Sequence, residues 1–119
     1  MAFMEKLIGT RQEIDIEEFL NNLDAQQDDP YEDADAFVKP VSLQSEQDRD
    51  MVLKEAREGN ILLINIADLS RRNAIKLKDL IAEIRDGVES IDGDIARISK
   101  DRILVTPSKV KIIKRKESQ

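Results

Sequence analysis

Apolar positions change their period several times along this chain, and each change predicts an element. Val38, Val41 and Leu43 surround Pro40, which predicts a first strand at a sheet edge, because proline has no N–H to give to a ladder. Ser45 reads as a helix N-cap with Asp48 as an acid in the first turn, where a carboxylate is favoured. The helix runs to about Glu58, buries Met51, Val52, Leu53 and Ala56, and is closed by Gly59. Residues 61–66 form a short apolar run bounded by Gly59-Asn60 and Asp68, the pattern of a short strand covered on both faces. One long helix then opens at Asp68 or Ser70. Leu77, Leu80, Ile81, Ile84, Val88 and Ile91 make its continuous stripe, and Gly93 ends it. Residues 95–99, 103–106 and 110–113 are short β-branched runs separated by turns at Lys100-Asp101 and Pro107-Ser108. The predicted fold class is α/β: a two-layer sandwich in the order β-α-β-α-β-β-β, with helices on a mixed sheet. So small an open sheet has edges to cover, which predicts a homodimer, with the stripe of the second helix as a further surface for it.

The first ten residues follow another pattern. On a helical wheel Met1, Phe3, Met4, Leu7 and Ile8 fall within an arc of roughly 160°, with Ala2, Glu5 and Lys6 opposite. A helix this short is not stable alone in water, but it can fold where a lipid surface receives its apolar face. Two copies in a dimer would reinforce weak insertion. Residues 11–37 then hold ten acids against one base, a segment charge of −9. Crowded like charges with few large apolar residues resist collapse, so residues 24–35 read as a solvated tether. Ile16, Phe19, Leu20 and Leu23 keep helical spacing ahead of it, read as either a short acidic amphipathic helix or a transient turn of helix within the arm. The organisation is thus 1–10 membrane-targeting tip, 11–37 flexible acidic linker, 38–116 folded core and 117–119 tail.

Composition narrows the chemistry. The chain has 119 residues, no cysteine, no histidine and a net charge of −6, of which the residues from Val38 onward carry +3. Disulfides, thiolate metal sites and cysteine nucleophiles are excluded, and the usual general base near neutral pH is absent. No catalytic residue, cofactor or metal is expected. The carboxylates Asp68, Asp79, Asp92 and Asp94 are read as caps and turn residues rather than as an oxygen-ligand set for a divalent cation. The longest aliphatic run, residues 61–64, is far short of the roughly 20 residues of a spanning helix. The N-terminus lacks the basic lead and long apolar run of a secretory signal, so the expected location is cytoplasmic.

Two features stand out from the scaffold. Gly87 interrupts the long helix at a cost of about 1 kcal/mol relative to alanine. It is either a tolerated helix glycine or a place where another backbone or a partner peptide approaches closely. Arg71, Arg72, Lys76 and Lys78 gather at the start of the same helix; they are either a solvated face, as charge runs usually are, or, set against the macrodipole, a site for an acidic partner. A rival reading is a small nucleic-acid-binding domain, with Lys109, Lys111, Lys114, Arg115 and Lys116 as the basic patch. Against it, no aromatic residue follows Phe37, so bases would have no stacking platform.

With these residues in view the sequence resembles the SepF family of cell-division proteins, and its archaeal branch in particular. The resemblance covers the apolar tip Met-Ala-Phe-Met-Glu-Lys-Leu, the acidic linker and the core. Within the core it rests on Lys78-Asp79-Leu80, on Asp92-Gly93-Asp94-Ile95 and on the run from Ile103 through Thr106-Pro107 to Val110. Leu80 stands where bacterial members carry phenylalanine, and Asp92-Gly93 replaces their double glycine. The resemblance implies a non-enzymatic, peripheral anchor on the inner face of the cell membrane at the division site. Its amphipathic tip would enter the bilayer, and its dimeric core would capture the C-terminal tail of FtsZ, the tubulin-like division GTPase. On that reading the tail would dock in a groove beside the second helix or at the dimer seam, where Arg71, Arg72, Lys76 and Lys78 could contact its acidic groups and Leu80, Ile84 and Gly87 could form an apolar floor.

Overall fold

A computed structural model describes residues 15–23 and 33–114. The chain divides into two units, Met1–Ala34 and Asp35–Gln119. In the first, residues 15–22 are helical rather than a transient turn, with Ile16, Phe19, Leu20 and Leu23 along one exposed face. The tip residues Met1, Phe3, Met4, Leu7 and Ile8 lie outside the described residues, as does most of the tether.

The second unit holds β1 (Val38–Ser42), α1 (Glu46–Arg57), β2 (Ile61–Asn65), α2 (Ala67–Arg72), α3 (Ala74–Ser90), β3 (Asp94–Ser99) and β4 (Arg102–Thr106). The four strands stand in the order β1-β2-β4-β3. β1 runs parallel to β2, while β4 is antiparallel to both β2 and β3, giving the mixed sheet of an α/β sandwich. α1 starts where its cap predicts: the Asp48 carboxylate accepts the backbone N–H of Gln44 at 2.9 Å and of Ser45 at 3.1 Å, satisfying donors the first turn leaves free. Gly59 follows its end at φ 97°. Asn60, buried beside it, accepts from the Phe37 N–H at 2.9 Å and donates to Glu55 at 2.7 Å. That pair of bonds ties the helix end to the entry of β1.

The core forms between one sheet face and the helices. Val41, Leu43, Leu62, Ile64, Ile103 and Val105 meet Val52, Ala56, Leu69, Leu80, Ile84 and Val88. β2 is therefore covered on one face only, contrary to the reading of residues 61–66, and Ile61 and Leu63 on its other side are half-buried.

Three further differences from the sequence reading have local causes. The long helix is two helices. Asn73 takes a non-helical conformation (φ −158°, ψ 85°), and its side chain accepts the Lys76 N–H at 3.0 Å as the N-cap of α3. At the other end of α3, Asp92 takes the left-handed position (φ 64°) and not Gly93. The bonds Gly93 N–H to Val88 C=O (2.9 Å) and Asp92 N–H to Glu89 C=O (3.1 Å) complete the motif. Gly93 is required because a Cβ there would lie 2.3 Å from the Thr106 carbonyl oxygen. Finally, residues 110–113 form no strand. Lys109 turns the chain at φ 67°, its N–H bonds Asp92 C=O at 2.9 Å, and the Ile112 N–H bonds the Asp94 carboxylate at 2.9 Å. With its donors drawn to turns and a side chain, this segment builds no ladder.

Candidate partner-binding surfaces

The break at Asn73 redistributes the basic cluster. Arg71 and Arg72 occupy the last turn of α2, where cations complement the macrodipole; only Lys76 and Lys78 sit in the first turns of α3. Arg72 is held by Asp68 (3.3 Å) and by Gln44 (2.6 Å), Arg71 lies 3.8 Å from Asp68, and Lys76 lies 3.3 Å from Glu46. Lys78 has no ion-pair partner among the described residues. These exposed pairs are worth little in stability, so a competing acid can replace the internal one at small cost. The α2–α3 corner is thus a basic ridge of exchangeable partners.

Beside this ridge runs a shallow groove of about 300 Å³ between the starts of α1 and α3. Lys76 and Glu46 pair across it, as do Arg49 and Glu83 at 2.6 Å. Glu46 titrates below an ordinary carboxyl, chiefly through its own backbone N–H and then through Lys76. Arg49 is raised, by Asp50 first and Glu83 next. Leu80 lies on the groove floor with 2% of its surface accessible, and Ile75 stands on the rim at 77%. Ile84 is fully buried in the core. Gly87 is half-buried, and a Cβ on it would sit 2.5 Å from Leu53 Cδ2, so the close approach there is that of α1. Ile75 was not singled out by the sequence reading. Its signal was available: it falls off the stripe of Leu77, Leu80, Ile81 and Ile84, so a helix packed on that stripe turns it outward.

The second surface is the open sheet face. Strand alternation sends Val38, Pro40 and Ser42 to the side away from the helices. The register sets Pro40 against Leu63, Leu63 against Leu104, and Leu104 against Ala96, an apolar row across all four strands. Val38 and Ile61 pair in the next row, and Val38 is 64% exposed. Among the described residues of the second unit no helix packs on this face. A groove of about 320 Å³ crosses it between Pro40, Leu63, Asn65 and Arg102.

The four carboxylates considered as a ligand set are dispersed: among the described residues no three acids converge in a way that would hold a metal. Asp68 serves the α2 arginines, Asp92 binds Lys111 at 3.0 Å, and Asp94 binds Lys114 at 2.7 Å. Two lysines of the rival nucleic-acid patch are thereby engaged. No helix among the described residues is long and apolar enough to cross a membrane.

Comparison with known proteins agrees with this architecture. The family described as cell division protein SepF matches residues 38–112. No curated protein sequence matches. Among solved structures, a SepF-like protein from Archaeoglobus fulgidus is similar with a TM-score of 0.63 at 21% identity, covering 68% of this chain and 96% of that one. A SepF-like protein from Pyrococcus furiosus gives 0.62 at 23%, over 67% and 96%. Cell division protein SepF from Methanobrevibacter smithii, solved in complex with FtsZ-CTD, gives 0.53 at 11%, over 66% and 99%. The family match spans the folded unit from its first strand to the segment that follows its last, and the chain belongs to the SepF family of cell division proteins.

Proposed function

We propose that this chain is a non-enzymatic tether that holds FtsZ at the cytoplasmic face of the cell membrane. The observation that carries the reading is the family match over residues 38–112, supported by a relative of the same fold that was solved with FtsZ-CTD. The tail of FtsZ would lie along the α2–α3 corner. Arg71, Arg72, Lys76 and Lys78 would exchange their internal acids for those of the tail, Ile75 and Leu80 would receive an apolar side chain, and Ile84 and Gly87 would support the floor from beneath. The tip, with Met1, Phe3, Met4, Leu7 and Ile8, would enter the bilayer. A second copy would cover the open sheet face, because the apolar row across four strands has no cover among the described residues of the folded unit. The homodimer then presents two tips and two corners, and doubling raises the effective concentration of each weak contact.

Co-sedimentation with liposomes tests the two ends together. The full chain is expected to pellet and to bring FtsZ with it, whereas a variant lacking residues 1–9 leaves both in the supernatant. Arg72→Glu combined with Lys76→Glu should still pellet but release FtsZ, with at least a tenfold loss of affinity. If the intact chain stays in solution, membrane anchoring is wrong. If the double reversal binds FtsZ as before, the corner is not the site.

A further inference from the structure

The groove beside the basic ridge is not itself basic. One wall is the face of α3 that carries Lys76, Asp79, Leu80 and Glu83 at helical spacing, and α1 supplies Glu46 and Arg49 from the other side. Two bases thus stand against three acids. Four of these five charges are engaged with one another: Lys76 meets Glu46 at 3.3 Å, and Arg49 meets Glu83 at 2.6 Å. Asp79 lies between the two pairs. It is exposed, and its carboxylate has no ion-pair or hydrogen-bond partner among the described residues. Lys78 precedes it in sequence but stands about 100° round the helix, so it does not neutralise this wall.

That order of charge decides what can lie along the groove. A segment bearing only acids would be drawn to Arg72 and Lys76 at the corner, then repelled one turn further on by Asp79. A segment with an acid at one point and a cation beyond it meets opposite charge at both. Along the axis of α3, Lys76 stands about 4.5 Å from Asp79 and about 10.5 Å from Glu83. An extended peptide rises about 3.3 Å per residue, so its cation would stand two or three residues from its acid. Between the two, exposed Ile75 on the rim and Leu80 on the floor suit an apolar side chain. We infer that the groove reads a bipolar peptide motif, an acid and a lysine or arginine two or three residues apart with an apolar residue between them, and that Asp79 receives the cation. This rests on the tail site proposed at the corner, and it requires of the tail a cation as well as an acid.

Fluorescence anisotropy of a labelled FtsZ C-terminal tail peptide, titrated with the full chain, tests it. Asp79→Lys carries the test, because an exposed side chain without a partner can change with little effect on the fold, which far-ultraviolet circular dichroism checks. Binding to Asp79→Lys is expected to be about fivefold weaker or more. A tail peptide whose lysine or arginine beside the acid is replaced by glutamate should bind the native chain as weakly, and should recover affinity on Asp79→Lys. Native-strength or tighter binding of the unaltered tail to Asp79→Lys overturns the inference, since a purely acidic ligand would gain from the added cation. Failure of the charge-swapped peptide to recover affinity overturns it as well. Neither result touches the corner, which Arg72→Glu combined with Lys76→Glu probes separately: native-strength binding by that variant, or no binding by the native chain, overturns the tail site itself.

Discussion

Asp94 accepts three hydrogen bonds, from the Lys114 ammonium, the Ile112 N–H and its neighbour Ile95 N–H. The Lys114 bond is the largest cause, followed by Ile112, and together they hold the carboxyl at about 2, against an ordinary 3.8. A carboxyl lowered in the folded state stabilises that state above its unfolded value, and the contribution is lost as pH falls from about 3.8 towards 2. The urea midpoint of the native chain should therefore fall more steeply over that interval than the midpoint of Asp94→Asn, which has no such charge to lose. Parallel pH profiles would show that these bonds add nothing to the fold. The two glycines of the same region differ in kind. Gly87 faces the movable end of a leucine side chain, whereas Gly93 faces a carbonyl of the sheet backbone, which cannot turn aside.

At the level of elements, Asn73 is the residue that makes two helices out of one. Asn73→Ala removes the cap on Lys76 and should cost about 1 kcal/mol, read as a lower urea midpoint, with Asn73→Asp restoring most of it. Much of the architecture was legible because burial imposes period: α1, β2, α3 and the two strands of the final hairpin all stand where the apolar spacing put them. The helix break was not, since Leu69 and Leu77 keep the stripe in phase across Asn73 while capping is a contact of a single side chain. Nor was the fate of residues 110–113, whose β-branched composition suits a strand. The Ile112 N–H is taken by Asp94, 18 positions before it, and no local pattern records that bond. At the candidate site the basic positions could be read directly. Their partners Asp68, Gln44 and Glu46 could not, because they come from other turns and elements. Leu80 and Ile84 share one period whether a stripe faces the core or a ligand, so spacing alone could not tell floor from interior.

Over the whole molecule, charge and apolar surface are segregated along the chain: −9 in residues 11–37, +3 from Val38 onward, and an apolar row on the open face of the sheet. The homodimer proposed through that face would link stability to concentration, because a partner that binds only the folded state raises its melting temperature. The native chain should melt higher as its concentration rises tenfold, and Val38→Asp, at a position 64% exposed in the single chain, should abolish that dependence without lowering the dilute value. An unchanged dependence would place the contact elsewhere. The rims of the sheet are a separate matter. Phe37 and Leu43 bond across to β2 through Ile61 and Asn65, so by alternation Val38, Pro40 and Ser42 turn their backbone groups outward, and the middle one has no N–H. The opposite rim, β3, loses register between Arg97 and Ser99. Neither border offers an even row of donors and acceptors to a neighbour's strand. Copies that pair face against face, as proposed, would therefore not knit sideways through these rims into a continuous ribbon.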